Sequence, residues 1–201
     1  MALNMLVISG SGRPDSQSLR IARLIEGELT GRGARTELFD VHACRLGLWE
    51  SEASADELGH LAVLRSRAER ADALVVVSPE WAGMVPPALK NALLHLTGGQ
   101  IAHKPVLLVG VSSGRSGTYP IAELRGFAFK NSQALIIPHH VILRGVEGLF
   151  AQGLLSSSDE ASRELGARLD AALTELMIYA ETLAPARSRL NELRSRFRNG
   201  M

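Results

Sequence analysis

The apolar and polar positions of this chain fall into short apolar runs that alternate with stretches of helical period. Leu3 to Ser9 is the first run, of the kind that fills a strand buried on both faces. A helix is predicted from about Ser18 to Thr30, where Leu19, Ala22, Ile25 and Leu29 recur at helical spacing and Gly31 with Gly33 marks the stop. Arg35 to Val41 sets Thr36, Leu38 and Val41 among charged neighbours, as a strand nearer a sheet edge does. His42 to Ala53 has no period and reads as a loop carrying Cys44 and Trp49, with Trp49 packed against a neighbour. Ser54 and Glu57 have capping-box spacing and open a second helix that runs through Leu58, Leu61, Leu64 and Ala68 to about Arg70.

Ala73 to Val77 is the clearest strand, and Ala88 to Leu96 reads as a helix with Pro87 in its first turn. Val106 to Val111 is another apolar strand. A helix from Pro120 to Ser132 follows, then a last strand around Leu135 to Ile137, with Val141 to Leu143 as a candidate continuation beyond Pro138. Ser157 and Glu160 form a second capping box ahead of a long helix striped by Leu165, Leu169, Leu173, Leu176, Ala180 and Leu183, which Pro185 ends. Five strands alternating with helices specify an α/β fold, a doubly wound five-stranded parallel sheet with helices on both faces. In the order 2-1-3-4-5, the carboxyl ends of strands one, three and four line one crevice where a ligand is expected.

Three loops then converge. In the first, Gly10-Ser11-Gly12-Arg13-Pro14-Asp15-Ser16-Gln17-Ser18, the glycines let backbone approach an anion and the next helix adds the positive end of its dipole. Hydroxyls of Ser11, Ser16 and Ser18 and the fork of Arg13 add donors. A phosphate is the natural guest, although neither a P-loop nor the three-glycine dinucleotide spacing is present. The bland alternative is a polar turn with a serine N-cap. Adjacent His139 and His140 on an extended segment point to opposite sides, so no metal site is expected there.

Composition narrows this picture. The 201 residues fit one domain with an added tail, and 46% hydrophobic content is that of a globular chain. A formal net charge of +1 gives no overall field for nucleic acid and none of the acidic surface of a flavodoxin-type electron carrier. Cys44 is the only cysteine, which excludes an intrachain disulfide and points away from a cysteine metal centre. No apolar run approaches the roughly 20 residues of a membrane span, and no signal-like stretch leads the sequence, so a cytoplasmic location is the expectation.

With the loops after the first and third strands in view, the chain resembles the NADPH-dependent FMN reductase family of flavodoxin-like proteins over roughly its first 180 residues. That family's first loop, Gly-Ser-x-Arg-x-x-Ser-x-Asn, matches Gly10, Ser11, Arg13 and Ser16, with Ser18 in place of Asn. Its second loop, Pro-Glu-Tyr-Asn-Gly-Ser and then Pro-x-x-Leu-Lys-Asn-Ala, matches Pro79, Glu80, Gly83, Pro86, Leu89, Lys90, Asn91 and Ala92. Trp81 replaces Tyr, Ala82 replaces Asn and Met84 replaces Ser, so the pyrimidine edge of a flavin loses two polar side chains and backbone groups are left to serve it. The resemblance implies a cofactor site built from Ser11, Arg13, Ser16, Gln17 and Ser18, from Pro79 to Met84, and from Ser112, Ser113, Gly114, Arg115 and Gly117 in a third loop. Arg115 is also a candidate reader of the NADPH phosphate.

The resemblance further implies FMN as cofactor and NADPH or NADH as co-substrate. Ping-pong transfer would lead to a quinone, azo, free-flavin or metal-ion acceptor, in a homodimer or homotetramer. No side-chain acid or base is required. The competing expectation is a non-enzymatic binding or regulatory protein on the same scaffold, with a degenerate flavin pocket. Residues 1–184 read as the flavodoxin-like domain, and residues 185–201 as a basic amphipathic extension striped by Leu190, Leu193 and Phe197, expected to dock on its own domain or on a neighbouring subunit.

Overall fold

A computed structural model describes residues 2–97, 99–127, 131–150 and 160–196. Its strands are β1 (Asn4–Ser9), β2 (Arg35–Asp40), β3 (Ala73–Pro79), β4 (Pro105–Val111) and β5 (Leu135–Leu143). Its helices are α1 (Gln17–Gly31), α2 (Ala55–Arg70), α3 (Pro87–Leu94), α4 (Thr118–Phe127), α5 (Glu160–Leu183) and α6 (Arg187–Arg196). All five strands are parallel, in the order β2-β1-β3-β4-β5 that the alternation of elements predicts.

The apolar runs are buried because the sheet is covered twice. Met5, Val7, Val75 and Val109 face α1 and α5, where Ile21, Ile25, Leu29, Leu169, Leu173 and Leu176 complete one core. Leu6, Ile8, Leu74, Val76 and Leu108 face the other way, onto Leu64, Leu89, Leu96, Ile121 and Leu124. Period two in the strands and the helical stripes therefore answer one another across two layers. No helix among the described residues is long and apolar enough to cross a membrane.

Several boundaries differ from the sequence reading. Ser16 caps α1 by accepting from Leu19 N at 3.1 Å, so the helix begins at Gln17 rather than Ser18. β3 runs on through Ser78 and Pro79, which stand opposite Gly110 and Val111 of β4. Thr97 and the turn beyond Leu94 close α3 earlier than its apolar pattern suggests, and α4 starts at Thr118 while Asn131 to Gln133 form a turn instead of helix. β5 is one strand of nine residues: the two-residue step from Val106 to Leu108 on β4 faces the longer step from Ile136 to His140. Pro138 has no N–H for the ladder and is accommodated as a bulge on the sheet's outer edge. The Ser54 capping box is formed, with Glu57 reaching back to Ser54 N at 2.8 Å. Ser157 of the second proposed box lies outside the described residues.

α5 passes through a 3₁₀ turn at Ala184–Ala186 into α6. Arg187 Nη1 donates to Asp72 Oδ1 at 3.0 Å just ahead of β3, which ties the start of α6 to the amino-terminal edge of the sheet.

Candidate functional site at the carboxyl edge

The loops after β1, β3 and β4 meet at the carboxyl ends of adjacent strands, and specific contacts lock each to the next. In the first loop Gly10 N donates to Val77 O at 2.8 Å. A Cβ on Gly10 would stand 2.5 Å from Leu89 Cδ2 and 2.8 Å from that carbonyl. Glycine is needed here so that the loop can pack on β3 and α3. Ser11 is buried and its hydroxyl accepts from Arg13 N at 3.2 Å. Ser16 is occupied as the N-cap, and Gln17 Oε1 accepts from Arg20 Nε at 2.7 Å, which turns that side chain toward Arg20. Ser18 is buried in the first turn of α1.

Arg13 lies over the ring of Trp81, 4.7 Å from its centroid, and joins the first loop to the second. Trp81 and Met84 close that second loop as a tight turn, with Trp81 N to Met84 O at 3.1 Å and Met84 N to Trp81 O at 2.9 Å. Its two central residues, Ala82 (φ 49°) and Gly83 (φ 74°), both take left-handed backbone, the signature of a type I′ turn. The Asn that the family places at Ala82 is a residue that tolerates this conformation, so the position answers to backbone shape. Beyond the turn, Val85 N donates to Glu123 Oε2 at 2.7 Å, and Glu123 also holds Lys90 in an ion pair. Burial pushes the Glu123 carboxyl up, but hydrogen bonds from Lys90 and Val85 outweigh it, and its pKa is lowered.

The third loop hangs on Glu80. Its carboxylate accepts from Ser116 Oγ and from Gly117 N, the latter at 2.6 Å. Arg144, at the end of β5, donates to Ser116 O at 3.0 Å from the other side. Gly117 is at φ 102°, and a Cβ on Gly110 in β4 would stand 2.4 Å from Gly117 O. Ser112 Oγ accepts from Gly114 N at 3.2 Å, while Ser113, Gly114 and Arg115 are exposed at the tip. His42 Nδ1 lies 3.0 Å from Gly12 O, and Asn91 and His95 both donate to Gly47 O at 2.9 Å, which fixes the loop after β2 beside the first.

Of the residues singled out in the sequence, the structure brings Ser11, Arg13, Trp81, Ala82, Gly83 and Met84 to one edge, with Ser112 to Arg115 on the neighbouring loop. Pro79 is buried within β3, and Glu80 spends both carboxylate oxygens on the third loop. Glu123, Arg144 and His42 were missed. Each acts on a backbone group far away in sequence, and no local spacing marks such a residue.

An FMN phosphate requires hydrogen-bond donors and no competing anion. α1 has no acidic residue in its first turn, and the N–H groups of Gln17 and Ser18 precede its first intrahelical acceptors. Ser9 Oγ, at the end of β1 on the α1 side of the sheet, is buried with no partner among the described residues. A ring edge would meet the exposed backbone of Ala82 and Gly83. The residues present fit the group. His139 faces Glu175 on α5 and His140 faces Arg125 on α4, on opposite sides of the sheet.

The sequence profile of the NADPH-dependent FMN reductase family matches residues 3–147. An NADPH azoreductase of Bacillus sp. (strain OY1-2) is 28% identical over 144 residues, 72% of this chain and 78% of that one. An FMN-dependent NADPH-azoreductase of Staphylococcus saprophyticus is 31% identical over 125 residues, 60% of this chain; the match takes in 66% of the relative, just under two thirds of its length. Among solved structures, the flavoenzyme NAD(P)H:(acceptor) oxidoreductase FerB from Paracoccus denitrificans superposes with a TM-score of 0.70 at 23% identity, covering 89% of this chain and 99% of that one. The apo form of the NADH:FMN oxidoreductase EmoB gives 0.66 at 17%, covering 87% and 90%. These likenesses bear on the fold.

Proposed function

This chain belongs to the NADPH-dependent FMN reductase family, and we propose that it is an oxidoreductase that uses FMN to pass reducing equivalents from NADPH or NADH to a small-molecule acceptor. The reading rests above all on the coupling of the three carboxyl-edge loops, by Arg13 on Trp81 and by Glu80 on Ser116 and Gly117. Ser11, Arg13 and the first-turn amides of Gln17 and Ser18 would hold the phosphate. The backbone of Ala82 and Gly83 would meet the ring edge, with Met84 as an apolar wall. Ser112 to Arg115 would close the third side. FMN held there would supply the redox chemistry, a two-electron, one-proton transfer from NADPH or NADH to the acceptor. The protein binds, orients and shields; no side-chain acid or base is assigned.

The azoreductase names of the relatives favour azo compounds as acceptors, with quinones, free flavin and oxidised metal ions as further members of the class. A homodimer or homotetramer is the proposed assembly. Leu48, Trp49 and Leu58, each more than half exposed, border one hollow of 210 Å³ that His95 also lines, and exposed Leu94 directly precedes His95 in the chain. Apolar surface of this kind marks a contact face. A cytoplasmic site of action agrees with the single half-buried Cys44, whose thiol pKa is raised by burial.

The test is titration of the full chain with FMN, followed by NADPH oxidation in the presence of a quinone or azo dye. Arg13→Ala should weaken FMN by about 1.5–3 kcal/mol, the worth of a charge-assisted contact, and Ser18→Ala by less. A wild-type protein indifferent to FMN would overturn the assignment.

A further inference from the structure

The second and third carboxyl-edge loops hold one another through two carboxylates that reach in opposite directions. Glu80, directly after β3, reaches forward and accepts from Gly117 N at 2.6 Å and from Ser116 Oγ. Glu123 stands on α4, the helix that the third loop leads into, and reaches back to accept from Val85 N at 2.7 Å. Its other oxygen pairs with Lys90 of α3. Each carboxylate thus takes one backbone N–H from the other's segment and one side-chain donor. Between Glu80 and Val85 lies the turn from Trp81 to Met84, so both ends of that turn are held from outside it.

The turn needs this support. Ala82 takes a φ of 49°, a conformation that persists in an alanine only where the surroundings impose it. Ala82, Gly83 and Met84 are exposed and have no neighbour above them to impose it. Val85 is 1% exposed, and a backbone N–H at so buried a residue requires a protein acceptor. Burial raises the pKa of that acceptor's carboxyl group, but Lys90 and Val85 lower it and prevail, so Glu123 is ionised at neutral pH.

We propose that Glu123 is a positioning residue for the flavin: by holding Val85 N it fixes the Trp81–Met84 turn in the shape that presents its backbone to the ring edge. The proposal rests on the reading of that turn as the ring-edge contact. Ala82 and Met84 bring no polar side chain to such an edge, so recognition there depends on where the peptide groups point. Glu123 acts through Val85 and touches no cofactor atom itself. Lys90 holds the free oxygen of the carboxylate and so keeps the other turned to Val85.

Two variants of the full chain test this. Glu123→Met keeps the volume and has no oxygen; Glu123→Gln keeps a carbonyl acceptor and loses the charge. In the flavin-free protein the Val85 amide should be protected from hydrogen exchange, should exchange at least about tenfold faster in Glu123→Met, and should stay within about threefold of wild type in Glu123→Gln. FMN should bind Glu123→Met about tenfold more weakly or worse, and at saturation its visible spectrum should move toward that of free FMN. Glu123→Gln should restore both affinity and spectrum. Both variants lose the ion pair with Lys90, so a role confined to that pair would change them alike and would overturn the proposal. A lowered melting temperature in Glu123→Met with an unaltered spectrum and affinity would also overturn it, and would leave the FMN assignment standing. An unprotected Val85 amide in wild type would do the same without any variant. Wild type indifferent to FMN would overturn the assignment and the proposal together.

Discussion

Ala82 holds a left-handed backbone that an L side chain adopts at a cost of about 1–2 kcal/mol, and its neighbour Gly83 shares the turn without strain. From the sequence, the exchange of the family's Asn for Ala looks like the loss of a polar side chain. In the fold it is a conformational burden on a turn. Ala82→Gly should therefore stabilise the protein by up to about 1 kcal/mol in urea unfolding and leave FMN affinity intact or improved; a destabilised variant would show that Ala82 contributes through its methyl group. Glu80 makes the same point. Its place in a recognised motif was legible, but its two acceptor bonds to the third loop were not, because Ser116 and Gly117 are more than thirty residues away.

Lys104 yields a prediction in pH. Its pKa is pushed down to about 8, first by burial and then by Arg187, against the pull of Asp72 and Glu69. Lysine in the unfolded chain keeps a value of about 10.4. Between these two values the unfolded chain holds more protons, so the stability contributed by this group rises with pH and is lowest below pH 8. The free energy of unfolding of wild type relative to Lys104→Met should climb from about pH 8 to pH 10. Parallel curves across that range would show that Lys104 titrates like an exposed lysine.

Among elements, the strands were legible because both faces of β1, β3 and β4 are covered, and a strand covered twice is apolar throughout. Helix ends were less so. The apolar pattern of α3 continues into Leu96, which is buried in the turn that follows rather than in the helix. The most demanding contact between elements is Gly110 of β4 beneath Gly117. Gly110→Ala drives a methyl group against a backbone carbonyl, which has no rotamer by which to move aside. We expect a loss of roughly 1–3 kcal/mol of stability and a weaker grip on FMN, because the third loop must lift from Glu80. Unchanged melting and FMN titrations would contradict the close packing of that loop.

At the scale of the whole molecule, two helical layers on a parallel sheet leave the carboxyl edge to the loops and the amino edge to α6. Removing residues 186–201 frees Asp72 from Arg187, both less than a quarter exposed, and should cost about 1–2 kcal/mol of stability while FMN binding persists. Melting curves and FMN titration of the truncated chain check both halves of that statement. The sequence sets Leu190, Leu193 and Phe197 on one docking stripe, but Leu193 is 59% exposed and Phe197 lies outside the described residues; the contact that holds the start of α6 is Arg187 on Asp72, which lies in an unrelated connector. The rims of the sheet carry a consequence for how copies can meet. On β2, Leu38 O already accepts from Arg67 at 2.7 Å beside the charged Glu37, and β5 is interrupted by Pro138, so neither border offers an unbroken row of hydrogen-bonding groups. Growth of one sheet into the next, the route to fibres, is thereby closed at both ends, and association is left to helices and loops whose contacts can form and part without rebuilding the strands.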